Sequence, residues 1–276
     1  MLVTTGVALV VILFFFGRTI DKKTPPVKSL PQNTVADFDI DRFIIQSKQK
    51  LTAQQNLFLD KLENSVSRGD VRNQQITVNN QLANFWKDSV ASFEPFIYYL
   101  SKAAKLENSE KNLTFAAQLI LDDLRHEQDH AKLDWKTDQA VGLFEQALQL
   151  NPDNDELNIG LGSCYIYGKG RTGHPEETMK GIQRLLSVVR KDSANMKAQL
   201  VLGVGGFVSG QYDKAIDRLT KVVKAEPGNV EAIAYLADAY AGKGDKATAV
   251  QWYQVLRKTA GPGYEKEIDE RIKLLQ

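Results

Sequence analysis

The sequence predicts an all-α protein, an array of antiparallel helix hairpins behind a single N-terminal transmembrane helix. Three observations predict it. The chain opens on an uncharged apolar run. No stretch alternates polar and apolar residues for long enough to suggest a sheet. In the C-terminal half, small residues, aromatics and prolines recur with a period of 34 residues.

The 276 residues are 43% apolar, enough for a real core in one large domain or two small ones. The net charge of +1 gives no bulk electrostatic case for a nucleic-acid partner. Cys164 is the only cysteine, so no internal disulfide is available.

Leu2 to Gly17, LVTTGVALVVILFFFG, carries no charge. A spanning helix wants about 20 apolar residues, and this run reaches the lower limit once Arg18 snorkels and Ile20 is counted. Nothing basic precedes Leu2, and Phe14, Phe15 and Phe16 close the run. Both features argue for an uncleaved anchor over 1–20 rather than a signal peptide. Arg18, Lys22, Lys23 and Lys28 follow the span, which places the bulk of the chain in the cytoplasm.

Residues 21–40 carry Pro25, Pro26 and Pro31 without an apolar period, and read as a semi-extended tether. The segment 41–80 reads as an N-terminal helical cap. Within it, Asp41 to Ser67 places Ile44, Leu51, Phe58, Leu62 and Val66 as one amphipathic helix of about seven turns. Residues 81–136 read as degenerate helical repeats. Ala83 and Trp86 fall in one helix, and Tyr99, Leu100 and Ala103 in the next. A further helix begins at Asn108 or Ser109 and carries the stripe Leu113, Ala116, Ala117, Ile120 and Leu124.

From 137 to 263 the period is regular. Pro152 and Pro227 are each preceded by an alanine (Ala140, Ala215) and a large residue (Phe144, Leu219) at matching distances. Each is followed at matching distances by a small residue (Gly162, Ala237) and a tyrosine (Tyr165, Tyr240). Met196–Asn229 and Val230–Gly263 are units of 34 residues each. Small residues let paired helices approach, tyrosines fill the gaps between pairs, the prolines stop one helix, and Asn154 and Asn229 cap the next. This pattern resembles the tetratricopeptide repeat, L-G-x-x-Y followed by A-x-x-x-F and a proline. The resemblance implies a right-handed superhelical solenoid. The family's tryptophan is replaced by Asn158, Gln199 and Ile233, and Gly206 stands where a tyrosine is expected. The unit Asp155–Asn195 is seven residues too long, the excess lying in GKGRTGHPEET, and LGSCYIYGKG is also similar to the Sel-like repeat. Residues 264–276 read as a C-terminal capping helix with Ile268, Ile272 and Leu275 on its inner side.

One motif points to chemistry. His126-Glu127-Gln128-Asp129-His130 has the spacing of a zinc peptidase, in which two histidines one helical turn apart hold the metal and the glutamate activates water. The surroundings argue against it. Asp122, Asp123, Arg125, Asp129, Lys132 and Asp134 make the segment highly charged, Glu145 and Glu156 bring no motif as a third ligand, and His174 is the only other histidine. The segment reads as a solvated helix end before a hairpin turn, with no enzyme activity and no metal or other cofactor implied. GKGRTGH at 168–174 lacks the residue order of a phosphate loop and reads as an enlarged connection, Cys164 as a small buried residue, and Asn112-Leu113-Thr114 as a chance glycosylation match.

The family resemblance implies that the first helix of each unit lines a concave surface. Its ligand-facing positions fall on Glu156, Ile159, Ser163, Ile166 and Tyr167 in one unit, and on Lys197, Leu200, Val204, Phe207 and Val208 in the next. In the last unit they fall on Glu231, Ala234, Asp238, Ala241 and Gly242. Only Lys197 is basic, so the clamp with which some relatives hold a chaperone's terminal carboxylate is missing. The expected site is an apolar groove of Ile159, Ile166, Tyr167, Lys197, Leu200, Val204, Phe207 and Val208 that receives an apolar helix or extended peptide. The alternative occupant is the chain's own upstream helix or a second copy, so a homo-oligomer stays open. The functions in contention are a membrane-tethered scaffold for assembly or quality control, an anchored receptor for organelle targeting sequences, and, least supported, a zinc peptidase.

Overall fold

The computed structural model describes residues 37–65 and 71–276. Among these the chain forms thirteen α-helices and no strand. The expected anchor, and the tether up to residue 36, lie outside the described residues. Among those described, no helix is long and apolar enough to cross a membrane.

The expected long N-terminal helix is two helices, α1 (Ile40–Lys48) and α2 (Ala53–Glu63). Thr52 breaks it. Its side chain accepts from the Gln55 N–H while the Gln55 side chain accepts from the Thr52 N–H, a capping box that starts α2 afresh. Five hairpins follow: α3 (Val71–Asn84) with α4 (Phe93–Glu107), α5 (Glu110–Leu124) with α6 (His130–Leu150), and α7 (Asp155–Cys164) with α8 (Pro175–Lys191). The last two are α9 (Met196–Val208) with α10 (Tyr212–Ala225), and α11 (Val230–Lys243) with α12 (Lys246–Ala260). The helix α13 (Glu265–Leu275) closes the array.

Local chemistry sets the boundaries. Ser109, Asn154, Asn195 and Asn229 each accept a backbone N–H in the first turn of the helix they start. Pro175 occupies the first turn of α8, where its missing N–H costs nothing. Every residue of the stripe Leu113, Ala116, Ala117, Ile120 and Leu124 is fully buried in the α5/α6 hairpin, and Cys164 is buried as expected.

The small residues work as the repeat requires. A Cβ at Gly162 would lie 2.7 Å from Leu185 Cγ on α8, and one at Gly203 would lie 2.7 Å from Leu219 Cγ on α10. The same close approach is thus built into consecutive hairpins. The apolar core runs in series along the array, one cluster handing over to the next. At the C-terminal end, α13 lays Ile268 on α12 while Lys266, Glu267, Glu270 and Lys273 face outward, as a solvated end requires. Arg271 of α13 reaches back 2.8 Å to Asp238 of α11, which also accepts the Tyr253 hydroxyl.

Candidate functional site: the inner curve of the array

The first helices of the hairpins, α7, α9 and α11, position the expected groove. Asn154 starts α7, but α7 does not run straight through Tyr167. From Tyr165 to Lys169 the backbone is a π-helix. The wider turn inserts a residue into the helical count and rotates everything after it. Gly168 permits this: a Cβ there would fall 2.0 Å from Thr137 Oγ1, so the end of α7 lies hard against α6.

The rotation sends Ile166 and Tyr167 inward. Ile166 is fully buried, packed against α9 where a Cβ at Gly205 would meet its Cδ1 at 2.8 Å. Tyr167 is 2% exposed, Val204 1% and Ile159 6%. Leu200, Phe207 and Val208 are half-buried. The Phe207 ring stands 5.6 Å from Tyr235 of α11 and 6.1 Å from Tyr212 of α10. Lys197 is exposed and pairs with Glu156 at 2.9 Å, a rim contact of little energetic weight. The eight residues expected to form an open groove are therefore layered. Ile159, Ile166, Tyr167 and Val204 lie inside the array, with Leu200, Phe207, Val208 and Lys197 toward the solvent.

Tyr167 also makes a contact that skips a hairpin. Its hydroxyl donates to Glu231 Oε1 at 2.6 Å, in the first turn of α11. Arg125, the C-cap of α5, lies 4.8 Å above the Tyr167 ring, and its Nη1 stands 3.3 Å from Glu231 Oε2. Burial, and next the Glu231 charge, push the Tyr167 phenol well above its ordinary pKa, which keeps it a donor. The carboxylate stands at a helix N-terminus, which favours negative charge. Sequence reasoning gave Arg125 no role in the groove, since no local pattern signals a partner on another hairpin.

The enlarged connection after Lys169 is tied down rather than free. Lys169 Nζ reaches Asp134 at 2.8 Å and Asp138 at 2.6 Å, and His174 lies 3.6 Å from Asp134. Arg171 donates to the carbonyls of Leu124 and Glu127, each at 2.7 Å, and so satisfies the C-terminal end of α5. Gly170 sets the loop over Val208: a Cβ there would lie 3.2 Å from its Cγ1.

These bonds settle the zinc signature. His126 follows the end of α5 and His130 begins α6, so a helix break separates the two imidazoles instead of one helical turn. Asp129 is the N-cap of α6, accepting from Ala131 and Lys132. Glu127 accepts the N–H groups of Gln128 and Asp129, both at 2.8 Å, and the Lys136 ammonium at 2.6 Å. Both oxygens of that carboxylate are engaged in holding the turn and the Lys136 ammonium. Among the described residues no cluster of three or more metal-ligating side chains forms.

Lys136 is itself a buried cation. It bonds Asp123 at 2.7 Å, lies 3.6 Å from Glu94 of α4, and sits 5.1 Å from the centre of the Phe93 ring. Burial alone would lower its pKa, but the bonds from Asp123 and Glu127 outweigh burial and raise it. This network fastens the first hairpin to the second.

Residues 136–200 and 209–262 match the tetratricopeptide repeat family model. The chain is 31% identical over 80 residues to lipopolysaccharide assembly protein B of Escherichia coli K12; the match spans 29% of this chain and 21% of that protein's length. Among solved structures, a thermophilic tetratricopeptide protein of Thermus thermophilus superposes with a TM-score of 0.51 at 15% identity, covering 74% of this chain and 98% of that one. MamA from Desulfovibrio magneticus RS-1 superposes with a TM-score of 0.48 at 18% identity, covering 70% and 97%. At such identity the Thermus likeness speaks for the fold alone.

Proposed function

We propose that this chain, whose C-terminal half carries tetratricopeptide repeats over 136–200 and 209–262, is a membrane-tethered scaffold. On this reading residues 2–20 anchor it, and the inner curve holds an apolar helix or extended segment of a partner protein. One observation carries the reading. Leu200, Phe207, Val208 and Tyr235 are half-buried on α9 and α11, leaving an apolar and aromatic strip that no other part of the array fully covers. Aromatic side chains held in place by neighbours lose little entropy on binding, which suits them as anchors for a partner.

The likeness to an E. coli protein named for lipopolysaccharide assembly favours assembly of a partner over targeting-sequence reception as the purpose of the contact. The zinc-peptidase reading is set aside on the geometry of Glu127. The test is affinity capture from detergent-solubilised membranes of the source cells, wild type beside Phe207→Asp. Phe207 is half-buried at the surface of α9, so the substitution is expected to leave the array folded and to abolish capture of the specific partner. Capture that survives in a folded variant puts the contact elsewhere and sinks the groove.

A further inference from the structure

In a solenoid each hairpin touches its neighbours in the row and little else. The contact among Arg125, Tyr167 and Glu231 breaks that rule. Arg125 caps the end of α5 in the second hairpin, Tyr167 lies in the π-turn that follows α7 in the third, and Glu231 stands in the first turn of α11 in the fifth. The fourth hairpin is skipped. The bond from the π-turn after α7 to the start of α11 passes that hairpin by. Tyr167 shares its buried cluster with Ile166 and Val204, the apolar interior of the expected groove, at 0% and 1% exposure.

We infer that Arg125, Tyr167 and Glu231 form a latch that holds the inner curve shut over Ile166 and Val204. The latch is placed to be opened. The side chains of Arg125 and Glu231 keep 37% and 25% of their surface in solvent, so water and competing carboxylates or cations reach the outer half of the contact. The Tyr167 donor is buried, at 2% exposure, and meets the partly exposed Glu231 carboxylate. A half-exposed ion pair sharing its carboxylate with a part-buried charge-assisted hydrogen bond is strong enough to hold and accessible enough to release. This inference rests on the scaffold reading for its purpose. In that setting the latch is an autoinhibitory contact: the strip at Leu200 and Phe207 is what a partner meets first, and the deeper residues join when Glu231 lets go.

The test needs no partner. In the full chain, Val204→Cys puts a thiol at the buried position, and its labelling by a maleimide reads local opening. Native Cys164, fully buried in α7, reports global unfolding in the same sample. Against this background Arg125→Glu and Glu231→Arg are each expected to speed labelling of the new thiol about tenfold, the scale of one lost charge-assisted bond. Cys164 stays protected. The double exchange, Arg125→Glu with Glu231→Arg, restores the ion pair and is expected to slow labelling again. Tyr167→Phe removes the hydroxyl alone and carries the test should a charge variant unfold; an intermediate rate is expected. Unchanged labelling in Tyr167→Phe and in a folded charge variant overturns the latch, as does a double exchange that labels as fast as either single. Because capture at Phe207 is measured separately, the latch and the scaffold reading fail independently.

Discussion

Arg125 and Glu231 stand 3.3 Å apart although one closes a helix of the second hairpin and the other opens a helix of the fifth. A row of hairpins that contact only their neighbours cannot make that contact unless the row curls back on itself. The curl follows from residues already seen: glycines at 203 and 205 draw α9 against α10 and α7, and the π-turn at Tyr165–Lys169 swings Tyr167 to meet α11.

The buried cation makes a pH-dependent prediction. Burial opposes ionisation of Glu127, but the Lys136 bond and the N–H groups of Asp129 and Gln128 hold its carboxyl below the ordinary range. A carboxylate lowered in the folded state contributes stability above its unfolded pKa and loses it as pH falls through the folded one. Lys136, raised in the folded state, contributes fully below the ordinary lysine range and loses that contribution as pH rises through its folded value. Thermal melts against pH should therefore fall off in strong acid and again in strong alkali. Lys136→Met leaves Asp123 and Glu127 Oε2 without their cation, while Glu94 keeps Lys132 at 2.9 Å, and is expected to cost about 3 kcal/mol near neutrality. The deficit should shrink toward acid pH, where the unpaired carboxylates take up protons. A deficit that does not change with pH would contradict the network.

The glycine contacts predict overpacking. Gly203→Ala places a methyl about where Leu219 already stands, and is expected to destabilise the chain by roughly 1–3 kcal/mol. Gly228→Ala, where the added carbon meets nothing within 4 Å, is the control and should be near neutral. Denaturant midpoints at unchanged slope would measure both.

The end cap predicts a cavity effect. Ile268 is 3% exposed where α13 meets α12, so Ile268→Ala is expected to cost about 2 kcal/mol, the low end for such a truncation because a terminal helix can settle into the space. Leu274→Ala, on the outer side at 83% exposure, should leave the melt unchanged. Equal effects from the two would mean that α13 does not pack as described.

The broken zinc signature predicts indifference to metal. Chelator treatment should leave the melting temperature and the circular dichroism unchanged, and His126→Ala should change neither. A stoichiometric zinc equivalent that survives purification and disappears in His126→Ala would contradict the bonding of Glu127.

Much of the array was legible because its signals are local. Asparagine caps, prolines after helices and small residues at fixed spacing each act within one or two turns, and Asn154, Asn229, Pro175 and Gly203 fell where their chemistry required. Two misreadings had local remedies. Thr52 with Gln55 carries the pattern of a capping box, which would have split the long N-terminal helix, and Asp129 before His130 is a cap that separates the two histidines. The layering of the groove had no such remedy. Counting ligand-facing positions along α7 assumes an unbroken α-helix, and a π-turn at Tyr165 shifts that count without a signature of its own. The pairing of Arg125 with Glu231 depends on how four hairpins add up their rotations, which no window of sequence contains.

The claim that the inner curve exists to hold another polypeptide is tested most directly by photo-crosslinking in intact membranes. A p-benzoylphenylalanine side chain is placed at Phe207 in one variant and at Met179, exposed on α8, in another. The account predicts a discrete protein adduct from the inner position and none from α8. The same adducts from both positions, or an adduct from α8 alone, would contradict it.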